Sequence, residues 1–117
     1  MRSVLIADDD RLLRESLGEA LADLGWSPSF AGCGGEAIQV LTSARHLDLV
    51  LSDVDMPDMT GFQLLAWMED HRPHPPAVLM SARASDDLAR VATASGAMAL
   101  LPKPVPFGRL TSLIAHL

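Results

Sequence analysis

The stretch Asp48-Leu49-Val50-Leu51-Ser52-Asp53 sets three consecutive large aliphatic residues between polar ends. Leucine, valine and leucine without alternation make a strand that is apolar on both faces. Only a sheet covered by helices on each side can bury such a strand. Its tip, Ser52-Asp53, turns polar where the chain leaves the core. Three further runs share this shape. Ser3–Asp8 carries Val4, Leu5 and Ile6 into Asp8-Asp9-Asp10, Ala77–Ser81 ends in a hydroxyl, and Ala97–Leu101 leads into Pro102-Lys103-Pro104. Ser27–Ala31 is weaker, and Pro28, which cannot donate to a ladder, predicts a place at a sheet edge.

Longer periodic segments separate these runs. Arg11–Leu24 predicts a helix with Leu13, Leu17, Ala20, Leu21 and Leu24 on one face, Asp10 as its cap and Gly25 as its stop. Gly35–Ala44 turns Ala37, Ile38 and Leu41 inward, and Gly61–His71 does the same with Leu64, Leu65 and Met68. His71–Pro76 holds three prolines and reads as a turn. Ser85–Ser95 opens on Ser85-Asp86-Asp87, which suits a helix N-terminus, and Phe107–Leu117 is the last helix. Five strand–helix pairs predict one α/β domain over residues 1–117, a three-layer, doubly wound, five-stranded parallel sheet.

Composition narrows the function. The 117 residues carry a net charge of −6, against unaided binding to nucleic acid or an anionic membrane surface. No apolar run approaches the ~20 residues of a membrane span, and the opening Met-Arg-Ser-Val does not read as a signal peptide. A single cysteine, Cys33, forms no internal disulfide and fits a reducing compartment, so a soluble cytoplasmic protein is expected.

Doubly wound sheets bind ligands beyond the carboxyl ends of their strands. Asp8, Asp9, Asp53, Ser81 and Lys103 all fall there, and no comparable polar cluster falls at the amino ends. Lys103 is the chain's one lysine beside eight arginines. Singly, each aspartate reads as a cap or turn acid, Lys103 as a loop lysine and Ser81 as a backbone partner. In register they form a site. Close carboxylates repel, so one must protonate or a cation must be recruited. Asp8, Asp9 and Asp53, with no thiol or imidazole near, are hard oxygen ligands that select Mg²⁺ or Mn²⁺ over zinc. A carboxylate flanked by that metal and an ammonium suits nucleophilic attack on phosphorus, giving an acyl phosphate at Asp53. Asp10 reads as a cap, Asp58 and Asp70 as solvated, the four histidines as surface residues and Cys33 as a small loop filler. Met56, Met59, Met68, Met80 and Met98 read as packing.

The ordered set Val4-Leu5-Ile6-Ala7-Asp8-Asp9-Asp10, Asp48 to Asp53 with Met56-Pro57 and Gly61, Val78-Leu79-Met80-Ser81-Ala82, and Gly96-Ala97 through Leu101-Pro102-Lys103-Pro104 spans nearly the whole chain. It resembles the receiver domains of bacterial two-component response regulators, the CheY-like family. The resemblance implies a flavodoxin-like strand order 2-1-3-4-5. It implies phosphorylation of Asp53 by a histidine kinase or phosphotransfer protein, self-catalysed and not enzymatic turnover. Asp9 would bind Mg²⁺, Asp8 would act largely through water, and the backbone carbonyl of Asp55 would be a further ligand. Ser81 would be the switch hydroxyl, Lys103 the phosphate-pairing cation, and Lys103–Pro104 often a cis bond. The output surface would be the Ser85–Ser95 helix, the Ala97–Leu101 strand and the last helix, with Arg90 and Arg109 as contacts.

Two departures stand out. Leu100 occupies the position of the family's usual aromatic switch residue, and no effector domain follows Leu117, so output is expected through a partner protein or a missing effector domain. Asp55 and Arg83, each two residues past Asp53 and Ser81, are expected to pair at the mouth of the site and hinder attacking water. Two rivals remain. One is a haloacid-dehalogenase-type phosphatase using Asp53 and Asp55, disfavoured because that motif normally ends the first strand. The other is a phosphorylation-independent docking module, to which Leu100 lends weight.

Overall fold

The computed structural model describes residues 1–43 and 46–117. Strands and helices alternate along the chain: β1 (Ser3–Ala7), α1 (Arg11–Asp23), β2 (Ser27–Ala31), α2 (Gly34–Ser43), β3 (Leu49–Asp53), α3 (Gly61–Asp70), β4 (Ala77–Ser81), α4 (Asp86–Ala94), β5 (Ala99–Pro102) and α5 (Phe107–Ile114). The five strands pair in parallel in the order β2-β1-β3-β4-β5. The strand carrying Pro28 lies at an edge, as its missing donor requires.

The unbroken aliphatic runs supply two cores, one on each face. Val4, Ile6, Leu49, Leu51, Val78, Met80 and Leu101 pack with Leu17 and Leu21 of α1 and Leu110 and Ile114 of α5. Their neighbours Leu5, Ala7, Val50, Ala77, Leu79 and Leu100 face Ala37 of α2, Leu64, Leu65 and Met68 of α3, and Ala92 of α4. Each fully buried aliphatic side chain contributes roughly 1.5–3 kcal/mol, so every central strand stabilises both layers.

Local chemistry sets the helix ends. Asp10 accepts from the N–H groups of Leu12 and Leu13 at 3.0 and 3.2 Å and starts α1. Thr60 and Gln63 form a capping box at the start of α3, and Ser85 caps α4. Gly25, at φ +92°, takes the left-handed exit from α1. Gly25 is the stop read from the sequence, but the helix itself ends at Asp23, and Leu24, predicted for the core face, is exposed instead. β5 starts at Ala99 and not Ala97, because the Ala97 N–H is spent on the carbonyl of Ala92, closing α4. The last helix stops at Ile114, and α2 opens one residue early, at Gly34. Its expected end at Ala44 lies outside the described residues.

The amino end of the sheet holds both tryptophans. Trp26, buried just before β2, lies beneath the Arg2 guanidinium, 4.6 Å from its ring centre. Trp67, near the end of α3, stacks on His71 with ring centroids 4.0 Å apart. His74, expected at the surface, is largely covered: Nδ1 lies 2.7 Å from the Pro75 carbonyl and Nε2 3.2 Å from Glu69. Among the described residues no helix is long and apolar enough to cross a membrane.

Candidate functional site

Strand register assembles the site. Ala7 pairs with Ser52, Asp53 with Met80, and Ser81 with Pro102. The residues at or one step past these pairs are Asp8, Asp53, Ser81 and Lys103, all at the carboxyl rim. Asp8, Asp53 and Ser81 are buried, whereas Asp9 is exposed. One carboxylate oxygen from each of Asp8, Asp9 and Asp53 falls within 4.8 Å of the others. The Lys103 Nζ reaches two of these acids, at 2.6 Å from Asp8 Oδ2 and 3.0 Å from Asp53 Oδ2.

The two buried acids are oriented from behind. The N–H of Asp10 donates to Asp8 Oδ1 at 2.8 Å, and Arg14 Nη1 donates to the Asp8 carbonyl at 2.6 Å. The N–H of Asp55 donates to Asp53 Oδ1 at 3.2 Å. Gly61 lets α3 begin against the acceptor: a side chain there would bring its Cβ within 2.6 Å of the Asp53 carbonyl. Ser81 Oγ accepts from the N–H of Arg83 at 3.0 Å, and the Ser81 carbonyl accepts from the N–H of Lys103 at 3.0 Å. The Lys103–Pro104 bond is cis, as the resemblance implied.

Burial raises the pKa of Asp53. Donation from Lys103 and from the Asp55 N–H offsets that only in part, and the charge of Asp8 adds to it. For Lys103 burial works against the charge, but hydrogen bonds and charge from Asp8 and Asp53 outweigh it, so its pKa lies above the usual value. Three carboxylates against one ammonium leave two negative charges. Asp8 Oδ2 is fully buried, and its polar contact is the Lys103 ammonium at 2.6 Å, shared with Asp53. An oxygen-only donor set with a net double negative charge fits a divalent cation.

The sequence profile of the response regulator receiver domain matches residues 4–115. The chain belongs to that family. Over 97% of its length this receiver domain is 39% identical to the response regulator protein FleR of Pseudomonas aeruginosa, covering 24% of that protein. It spans less than half the length of the curated relatives it matches first. A CheY-like receiver domain protein of Methanospirillum hungatei superposes with a TM-score of 0.88 at 28% identity, covering 99% of this chain and 92% of that one. The response regulator TrrA of Thermotoga maritima, solved in complex with Mg²⁺ and BeF, superposes at 0.87 over 99% and 98% of the two chains. Its 24% identity speaks for the fold.

Most residues singled out in the sequence meet in this receiver domain. Arg83 and Asp55 pair as expected, with Arg83 Nη2 3.1 Å from each Asp55 carboxylate oxygen. Leu100 is buried within the α2–α3–α4 layer, where an aromatic is usual in the family. Two contributors were missed. Arg14 is half-buried on the first turns of α1, and its reach back to Asp8 was signalled only by a cation next to the apolar stripe. Asp58, expected to be solvated, accepts from the N–H groups of Gly34 and Gly35, both at 2.8 Å. A signal for this existed: no Ser, Thr, Asp or Asn precedes α2 to cap it.

Proposed function

We propose that this receiver domain accepts a phosphoryl group on Asp53, in a reaction dependent on Mg²⁺ or Mn²⁺, from a histidine kinase or phosphotransfer protein. The observation that carries the reading is the Lys103 ammonium held between buried Asp8 and Asp53, with an oxygen of Asp9 close to both acids.

A carboxylate oxygen of Asp53 attacks phosphorus, a P–O bond forms and the P–N bond to the donor histidine breaks. The imidazole nitrogen leaves with the electron pair. The divalent ion, held by Asp8, Asp9, Asp53 and the backbone carbonyl of Asp55, would neutralise charge on the transferring group. Lys103, held between Asp8 and Asp53, would add to that neutralisation. Ser81 has a hydroxyl hydrogen to donate to a phosphoryl oxygen.

About two added negative charges then shift a pre-existing equilibrium of β4, β5 and α4. The output face is α4, β5 and α5, with Arg90 and Arg109 as contacts, read by a partner or by an effector domain elsewhere in the protein. The setting is the cytoplasm. No turnover enzyme is implied, since the acyl phosphate is lost by slow self-catalysed hydrolysis. The phosphatase rival is disfavoured because Asp53 ends the third strand, whereas its Asp-x-Asp motif normally ends the first.

Incubation with acetyl phosphate, read by intact mass, tests the reading. Wild type should gain one phosphoryl group only when Mg²⁺ is present, and Asp53→Asn should gain none. A wild type that stays unmodified in Mg²⁺ and ignores beryllofluoride would instead support the phosphorylation-independent docking module, which buried Leu100 favours.

A further inference from the structure

We propose that Asp58 is a positioning residue of this site, mooring the loop that carries Asp55 to the start of α2. The inference rests on the phosphoryl-transfer reading above.

The chain leaves β3 at Asp53 and enters α3 at Gly61. The base of the intervening loop is closed: the Gly61 N–H donates to the Val54 carbonyl at 2.8 Å, and Asp55 pairs with Thr60 in an isolated bridge. Beyond the packing of Met56 and Met59 on the core, the polar tie of the far part of the loop is Asp58. Its Oδ1 takes the N–H of Gly34 and its Oδ2 the N–H of Gly35, each at 2.8 Å. Two bonds to two oxygens fix orientation as well as distance. Met59 adds a second grip, since a methyl placed on Gly34 would collide with its side chain.

The same bonds explain how α2 begins. The Cys33 carbonyl accepts the first helical bond, from the Ala37 N–H at 3.1 Å, so Cys33 occupies the cap position. A thiol is a poor acceptor there. Asp58 supplies the missing carboxylate from 24 residues away, satisfying two of the four free N–H groups and facing the positive end of the helix dipole. Its pKa lies below the ordinary carboxylate value, chiefly through the N–H groups of Gly35 and Gly34.

What the mooring holds is Asp55. That residue is fixed on one side by Arg83 and donates its N–H to the acceptor carboxylate. Its carbonyl is the expected fourth protein ligand for the divalent ion. Groups bonded directly to metal ligands commonly change metal affinity by about 10–100-fold when removed, and Asp58, acting one contact further out, belongs at the lower end.

The test compares wild type, Asp58→Asn, Asp58→Ala, and Asp58→Ala combined with Cys33→Ser. Mg²⁺ dissociation constants come from amide chemical shifts around Asp53, measured well below each thermal midpoint, which is recorded separately. Asp58→Ala should bind Mg²⁺ roughly tenfold more weakly, with Asp58→Asn between, since one amide oxygen replaces two. Serine at position 33 restores a local cap, so the double variant should recover thermal stability but not Mg²⁺ affinity. Affinity that returns together with stability, or an Asp58→Ala protein that binds Mg²⁺ like wild type, would reduce Asp58 to a helix cap and overturn the proposal. If Asp58→Ala alone fails to fold, Asp58→Asn and the double variant decide it by the same comparison. A wild type that does not bind Mg²⁺ at all would overturn the underlying functional reading instead.

Discussion

Lys103 stands between two acids that the fold has taken out of water, and its ammonium neutralises only one of them. Because burial raises the pKa of Asp53, the folded state holds that proton more firmly than the unfolded chain does. Ionising Asp53 therefore counts against folding at neutral pH, and this penalty disappears below the unfolded pKa, about 4. Asp53→Asn should melt a few degrees above metal-free wild type at pH 7, and the gap should close as the pH falls through about 4. Lys103 keeps its shorter contact with Asp8 in that variant. A denaturation series over pH checks this, and a gap independent of pH would contradict it. At the mouth of the site, Arg83→Ala should shorten the life of the phosphorylated protein. An exposed ion pair is worth about 0.2–1 kcal/mol, which bounds the acceleration of hydrolysis at roughly fivefold. Loss of label from phosphorylated protein measures it, and unchanged decay would remove the shielding role. Lys103 and Asp53 were legible because residue type and position at an apolar run's end both pointed to them. Asp58 was not, because its partners lie 23 and 24 positions away, and the uncapped start of α2 signals the need for an acceptor without naming which residue supplies it.

Four of the helices, α1 to α4, begin where a side chain serves the free N–H groups, and α1, α3 and α4 each carry their own cap, whereas α5 starts after Pro106 without one. Asp10→Ala removes both acceptor bonds to Leu12 and Leu13 and should destabilise the protein by about 1 kcal/mol. Its backbone N–H still donates to Asp8, so phosphoryl uptake should persist. Chemical denaturation together with intact mass separates the two effects. These starts were readable from Asp10 and Ser85, since capping is a contact over three residues. Ends were less so. Leu24 continued the apolar period of α1 in sequence, but the left-handed turn at Gly25 takes it out of register with the core. β5 slipped by two residues for a similar reason, with Ala97 apolar enough for a strand yet used to close α4. Hydrophobicity alone does not say which neighbour claims an N–H.

At the scale of the whole molecule, an uninterrupted aliphatic strand states how many layers cover it, and five such units leave few topologies. Strand order could be named only through the family resemblance, because Pro28 marks an edge without saying which strand lies beside it. What the sheet achieves is separation. Acidic chemistry collects at the carboxyl rim, while Trp26, Trp67, His71 and His74 sit at the amino end. The two native indoles are thereby insulated from the event they might be asked to report. Intrinsic fluorescence should change little when Mg²⁺ binds, even where amide shifts near Asp53 move strongly. An emission change confined to the indoles would reveal long-range coupling through the sheet. A tryptophan introduced at Met56, half-buried and three residues past the acceptor, would give the rim an optical voice of its own.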